Sequence, residues 1–480
     1  MTLSVFDAAR AAPLAEALVC DGERVTFQVL AARVRARCAA LAALGLAASE
    51  RPVALLIDGS LPMFELLHAL IALGIPVLPI HPRLTAPERE HLLRLSGAQT
   101  LLDPSQAGAA RPAQVEWRPA PVPDERALAL VPTSGSTGAP KLTLLSRRAF
   151  AALAHADAQR VAPLPEDRAL LCLPLSHVGG LSVVLRCLSA RRCCVVFRAS
   201  KLGLLDSIPE LEQALVNERI TLLSLVPTVL ARLLRDAPSI GQRAHLRALL
   251  LGGQACSEAL FLAARAHGLP VLTSYGLTET CSQASTLAFP APANVSTRNG
   301  VVSVGFPLPG VELRVVQGLI EVRGPTLFSG YVGEPSPFTS DGFFPTGDRG
   351  ELDPELGLFV FGRASELIIT GGENVDPSEV EHALLACGGL GAVLVYGVPD
   401  PEFGARVAAV IEPLPVGAGV PFDERTLFAA LDHRLASFKQ PRAVCVVEAL
   451  PRLASGKLDR TRIREETASK LRPPDRDGRR

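Results

Sequence analysis

The sequence predicts an α/β protein built on parallel sheet, then a mostly β stretch, then a smaller α+β unit. Three observations carry that prediction. Short apolar runs alternate with helical patterns through most of the chain up to about Ser303, the arrangement of βαβ units. Beyond it the runs shorten and glycine-rich turns separate them, as in a distorted β-barrel. From Glu366 onward helical and strand patterns mix again.

Taken in order, Arg51–Asp58 reads as a strand, Leu61–Leu73 as a helix and Gly74–Ile80 as the next strand. Ala127–Val131 is a further apolar strand. A second series follows: Ala169–Leu173, Cys193–Phe197, Leu222–Val226, Ala248–Leu251 and Pro270–Thr273 are strands, with helical stretches such as Leu211–Glu218 and Ser257–Ala266 between them. The β segment holds Val311–Val316, Leu319–Arg323, Gly350–Asp353 and Leu358–Gly362. After a boundary placed just past Arg363 come a helix at Pro377–Leu385, strands at Ala392–Val398 and Arg406–Ile411, and a helix at Thr426–Leu435. The charged end, Lys470–Arg480, is expected to fray.

At roughly 150 residues per domain, the 480 residues suggest about three compact units. Hydrophobic residues make up 48%, enough to bury a large core. Lys+Arg and Asp+Glu are both 48, which argues against a nucleic-acid polyanion as main partner. The start lacks the basic-then-apolar pattern of a signal peptide. The most membrane-like stretch, Leu66–Pro82, holds two histidines and three prolines and fits a buried strand–helix segment better than a span. The ten cysteines are scattered without a C-x-x-C pair, as small buried hydrophobes in a reducing compartment. A cytoplasmic protein is expected, and a homodimer is compatible with the sequence.

After the strand Ala127–Val131 comes Thr133-Ser134-Gly135-Ser136-Thr137-Gly138-Ala-Pro-Lys141. Its glycines let backbone N–H groups approach an anion, its hydroxyls add donors and its lysine adds charge, so the chemistry fits a polyphosphate clamp. It is not a Walker A loop, since Pro140 precedes the lysine and Leu142 follows it. By itself the stretch fits a Ser/Gly surface loop equally well. Downstream lie Ser274-Tyr-Gly-Leu-Thr-Glu279, Phe344-Pro-Thr-Gly-Asp348, Gly362-Arg363, Gly371-Gly-Glu-Asn374 and Pro451-Arg-Leu-Ala-Ser-Gly-Lys457. In that order, over about residues 130–460, these motifs resemble those of the adenylate-forming superfamily of acyl-CoA synthetases, adenylation domains and luciferases.

The resemblance implies an N-terminal adenylation domain, residues 1–363, with two doubly wound sheet subdomains plus the distorted barrel, and a small mobile α+β C-terminal domain, residues 364–480. It implies ATP, Mg²⁺ and CoA as cofactors and a carboxylic acid as the remaining small-molecule partner. The acid attacks the α-phosphate to give an acyl-adenylate, and a thiol then displaces AMP. By the same resemblance, Thr133–Lys141 holds the β- and γ-phosphates, Thr278 the α-phosphate, and Glu279 ligates Mg²⁺. Gly252, Gly253 and Gln254, with Ser274, Tyr275 and Gly276, surround adenine. Asp348 accepts from both ribose hydroxyls, a task suited to an acceptor-only carboxylate, and Arg363 lies near the ribose. Lys457 bridges the attacking carboxylate and the α-phosphate, as a flexible point charge can. Gly371 and Gly372 line the thiol tunnel. Each has a plainer alternative: a helix-end carboxylate for Glu279, a turn aspartate for Asp348, a surface charge for Arg363 or Lys457. Two positions depart from the family pattern: the hinge position is Ser365, where Asp or Lys is usual, and Leu142 stands where Gly is common.

The acid is read from Leu173-Pro-Leu-Ser-His177-Val-Gly-Gly-Leu-Ser182, with Arg186 nine residues past His177. This segment resembles that of the o-succinylbenzoate–CoA ligases of menaquinone biosynthesis. That acid keeps a second carboxylate after activation. Arg186, one helical turn beyond Ser182, would meet it, while His177 forms the pocket wall or gate. An arginine in an apolar pocket needs such an anionic partner; the plainer alternative is a snorkelling helix arginine. Other aryl or medium-chain acyl-CoA ligases, a freestanding adenylation domain loading a carrier protein, and a catalytically silent nucleotide-binding member of the fold remain open at this point.

Overall fold

The computed structural model describes residues 3–46, 51–106, 117–134, 140–199, 204, 207–253, 256, 258–292, 295–298, 301–363, 368–375, 377–414, 421–451, 458 and 460–475. The chain divides into two compact units. One comprises Met1–Pro82, Leu93–Thr133 and Leu142–Gly362; the other comprises Arg83–Leu92, Ser134–Lys141 and Arg363–Arg480.

The alternating pattern of the larger unit becomes a parallel sheet. Arg168–Leu171 pairs in parallel with Cys193–Val196 and with Leu222–Leu225, which pairs with Ala248–Leu251, and that strand with Val271–Tyr275. A second sheet contains Val53–Leu56, parallel to Val77–Ile80. The crossover between these last two shows how local chemistry sets an element. Ser60 caps the helix Leu61–Leu73 by accepting from the Met63 N–H at 3.4 Å, proline stands in its first turn, and Gly74 ends it at φ +69°. Ten of its thirteen residues are buried, as an all-round apolar crossover requires. No helix among the described residues is long and apolar enough to cross a membrane.

Several elements were not expected. Phe27–Ala43 is a helix capped by Thr26, and its Arg37 is buried against Glu65 at 2.9 Å. Arg147–Val161 is a helix capped by Ser146, and Val178–Ala190 a helix buried on nearly every face. The mostly β segment forms a four-stranded sheet in which Glu312–Val316, Leu319–Arg323, Phe344–Asp353 and Gly357–Arg363 are neighbours in turn. Among the described residues these four strands form an open path, since nothing pairs the first with the last.

In the smaller unit, Leu390–Asp400 and Gly404–Pro413 form a long antiparallel pair, with Ala443–Val446 parallel to the second. The helices Pro377–Ala386 and Glu424–Asp432 supply Val380, Leu384, Leu427 and Phe428 to the same apolar core. The expected frayed end is corrected in part. Arg472 exchanges backbone hydrogen bonds with Val444, and its guanidinium meets both oxygens of the Glu424 carboxylate, so a bidentate ion pair ties the tail down.

Candidate active site

At the nucleotide end, Val271–Tyr275 runs antiparallel to Ser285–Thr286 and the chain between them folds into a tight loop. The Ala284 N–H donates to the Tyr275 carbonyl at 2.8 Å and that of Ser282 to Leu277 at 3.0 Å. Gly276 is required here: a Cβ on it would lie 1.8 Å from the Ser282 carbonyl oxygen. Cys281 and Ser282 take φ of +60° and +108°, strain of the kind stored where a loop must aim its side chains.

The loop brings Thr278, Glu279 and Thr280 into a single 3₁₀ turn, with the Thr280 hydroxyl accepting from the Leu277 N–H at 2.8 Å. The Glu279 side chain is buried and its Oε1 accepts from the Tyr331 hydroxyl at 2.8 Å. Tyr331 is placed by the strand that follows the glycine-rich loop, because Leu142, Thr143 and Leu144 pair with residues 329–332. Tyr275 donates its phenolic hydrogen to Asp348 Oδ2 at 2.8 Å, with both residues buried. Asp348 is held from its own strand by its N–H donating to Thr346 Oγ1. Gly252 ends the neighbouring strand, and its Cβ direction points at the Ser274 carbonyl, 3.2 Å away. So three segments far apart in sequence, at Gly252, Ser274–Tyr275 and Asp348, share one place.

Among the described residues no three His, Cys, Asp or Glu side chains gather as a cation cage. A single buried carboxylate still suits Mg²⁺, which keeps waters and takes one or two carboxylates with substrate phosphates. Thr133 lies in the strand Ala127–Ser134, which leads into the glycine-rich loop. Gly135, Ser136, Thr137, Gly138, Gln254, Ser365 and Lys457 lie outside the described residues. Ser134 and Arg363 are strand residues by their backbones, and Lys141, in Pro140–Ser146, falls to the smaller unit.

At the acyl end, His177 is the N-cap residue of Val178–Ala190 without a side-chain cap bond. The Ser182 and Ser282 hydroxyls are 3.3 Å apart, which joins this helix to the nucleotide loop. One turn further, Arg186 Nε donates to the Ser182 carbonyl at 3.3 Å, confirming the helical spacing. Its Nη2 donates to Ser224 Oγ at 3.3 Å and its Nη1 to Asp157 Oδ1 at 2.8 Å. Asp157, on the helix Arg147–Val161, thus already supplies Arg186 with a carboxylate that the sequence reading did not foresee. Beside the pair lies a cavity of about 40 Å³ lined by Ala154, Val183, Leu222 and Leu250.

The sequence reading missed Asp157, Ser224, Gln283 and Tyr331. Asp157 had a usable signal, being the only acid of its helix and four residues beyond buried Leu153. Tyr331 is one of three tyrosines in the chain. In the smaller unit, Gly371 and Gly372 turn the antiparallel pair Ile368–Thr370 and Glu373–Val375. Both have positive φ, +58° and +82°, as a two-residue hairpin of the primed type demands.

The AMP-binding enzyme family model matches residues 5–332, and the model of its C-terminal domain matches 379–457. The chain is 32% identical to the 2-succinylbenzoate–CoA ligase of Listeria monocytogenes, over 95% of this chain and 97% of that one. It is also 32% identical to that of Enterococcus faecalis, over 88% and 90%. Among solved structures it is similar to an o-succinylbenzoate CoA synthetase double mutant from Bacillus subtilis bound to a product analogue. There the TM-score is 0.86 and the identity 28%, over 97% of this chain and 98% of that one. The Bacillus subtilis enzyme in complex with ATP and magnesium gives a TM-score of 0.68 at 28% identity, over 96% and 98%.

Proposed function

Because the chain belongs to the AMP-binding enzyme family, we propose that it is an ATP-dependent acid–CoA ligase that converts o-succinylbenzoate, ATP and CoA to o-succinylbenzoyl-CoA, AMP and pyrophosphate. The observation that carries this reading is the buried Tyr275–Asp348 hydrogen bond beside Gly252 and Ser274, which joins three nucleotide motifs in one place. The choice of acid is supported by the likeness to 2-succinylbenzoate–CoA ligases over nearly the whole chain.

In the first step a carboxylate oxygen bonds to the α-phosphorus, the bond to the bridging oxygen breaks, and pyrophosphate leaves. In the second the CoA sulfur bonds to the acyl carbon, the bond to the adenylate oxygen breaks, AMP leaves, and the thiol proton goes to solvent. Asp348 accepts from the ribose hydroxyls while Tyr275, donating to its Oδ2, fixes the carboxylate plane and flanks the base. Residues 133–141 hold the outer phosphates and Thr278 the α-phosphate. Glu279, turned by the Tyr331 hydroxyl, would hold the metal. When bound, Mg²⁺ neutralises the triphosphate. Lys457 bridges the two reacting anions, the charge-on-charge approach that makes this step slow in water. Arg363 lies by the ribose, His177 walls the acyl pocket, and Arg186 meets the distal carboxylate.

Residues 1–363 act as the adenylation domain. Residues 364–480 act as a mobile domain, hinged at Ser365, that carries Lys457 and offers the 371–372 turn to the thiol. All ten cysteines are free thiols, in keeping with a reducing, cytoplasmic setting. A homodimer is part of the same reading, to be checked by sedimentation. The test of the mechanism separates the half-reactions. Lys457→Ala should abolish adenylate formation while thioester formation from supplied o-succinylbenzoyl-adenylate survives; equal loss in both contradicts the role.

A further inference from the structure

We infer that Asp157, seconded by Gln283, is the positioning residue that sets Arg186 to grip the distal carboxylate of the acid. The inference rests on the acid assignment above and extends it to two residues outside every recognised motif. A free arginine side chain samples many rotamers, and a recognition site works only when its groups are held in place beforehand. Asp157 does the holding: its Oδ1 accepts from Arg186 Nη1 at 2.8 Å and also from Gln283 Nε2 at 3.3 Å. Gln283 is 2% exposed, and its Oε1 accepts from Thr286 Oγ1 at 3.4 Å. The Thr286 hydroxyl lies 2.9 Å from that of Ser274. A single string of buried polar groups thus runs from Arg186 to the residue before Tyr275.

The donor count leaves room for the substrate. A guanidinium has five N–H groups. Three are engaged, by Asp157, Ser224 and the Ser182 carbonyl, so one remains on each terminal nitrogen. Two N–H groups on the same planar fork suffice for a two-pronged carboxylate contact. Asp157 also cancels the arginine charge in the unliganded pocket, where a lone buried guanidinium would be costly. Selection then depends on where the two remaining N–H groups point, and that direction is what Asp157 fixes.

The experiment compares o-succinylbenzoate with 2-butyrylbenzoate, which lacks the second charge, in the full-length enzyme. Asp157→Ala should raise KM for o-succinylbenzoate about 30-fold or more, leaving KM for ATP and turnover of 2-butyrylbenzoate near wild type. Asp157→Asn, which keeps the shape and an acceptor for Nη1, should recover most of the loss. Gln283→Leu should cost about tenfold, the lower end for a hydrogen bond to a charged carboxylate, on the same acid alone. If Asp157→Ala proves unstable by thermal melting, the same split is read from Asp157→Asn against Gln283→Leu. Equal effects on both acids, or an unchanged KM for o-succinylbenzoate, overturn the positioning role while the acid assignment stands. A wild type that does not prefer the dicarboxylic acid overturns the acid assignment, and this inference with it.

Discussion

At the expected nucleotide end, Tyr275, Thr278 and Glu279 come from five consecutive residues, and Asp348 and Tyr331 reach them from elsewhere in the chain. At the expected acyl end, Arg186 meets Asp157 and Ser224 from two other elements, and Gln283, 126 residues along the chain from Asp157, reaches the same carboxylate. The difference follows from what each end must recognise. In the proposed reading ATP is the same for every acid, so one strained turn, closed by Gly276 and the left-handed Cys281, would place its contacts through local backbone geometry. The acid is recognised by a pocket wall, and a wall exists only once helices have packed on a sheet. Chemistry common to the reaction is written in short motifs; chemistry particular to the substrate is written in tertiary contacts.

The contrast breaks if the two ends respond alike to substitution. The largest effect expected is that of Asp348→Ala, which removes the partner of Tyr275 and, in the proposed reading, would remove two charged hydrogen bonds to the ribose. At about 1.5–3 kcal/mol each, kcat/KM should fall by ~100-fold or more, equally for every acid, as read by pyrophosphate exchange. Arg186→Ala should cost about 2 kcal/mol or more, roughly 30-fold, on o-succinylbenzoate and little on 2-butyrylbenzoate. Arg186→Lys should recover only part, because an ammonium lacks the planar fork. Equal loss of both acids would mean that Arg186 serves the fold, through Asp157, and not the substrate.

Smaller effects sharpen the comparison. Tyr331→Phe removes one donor to the Glu279 carboxylate and should cost about 1.5 kcal/mol, near tenfold, shown as a raised Mg²⁺ requirement the same for all acids. Gly372→Asn tolerates the positive φ of the hairpin and adds bulk, so thioester yield should fall modestly while pyrophosphate exchange holds. A parallel fall in both would make that turn structural.

Much of the fold was legible, and the exceptions have physical causes. Leu61–Leu73 announced itself with its serine cap, first-turn proline and terminal glycine. Arg147–Val161 did not: its run of alanines blurs the apolar stripe, and His155, Asp157 and Gln159 interrupt it. In the structure Phe150, Leu153, Ala154 and Asp157 are buried, so the acid sits on the inward face. Missing that helix meant missing the partner of Arg186. Phe27–Ala43 was hidden in the same way by Arg33, Arg35 and Arg37, of which Arg37 turns inward to a buried glutamate. Tail charge suggested fraying, but Arg472 finds Glu424. Asp157 and Arg37 turn inward because a distant partner offsets the cost of burial, and Arg472 is held by one at the surface. The motifs stood out because their residues are adjacent in sequence; Tyr331 did not, since only strand pairing to Leu142 and Leu144 brings it to Glu279.

The central claim is that this chain activates a dicarboxylic aryl acid and selects it by its second charge. The most direct measurement supplies the enzyme with ATP, Mg²⁺, CoA and equimolar o-succinylbenzoate and 2-butyrylbenzoate, and weighs the thioesters formed by mass spectrometry. The account predicts o-succinylbenzoyl-CoA in large excess with one AMP released per thioester, and loss of that excess in Arg186→Ala. A dominant 2-butyrylbenzoyl-CoA product, or a product ratio unmoved by the substitution, would contradict it.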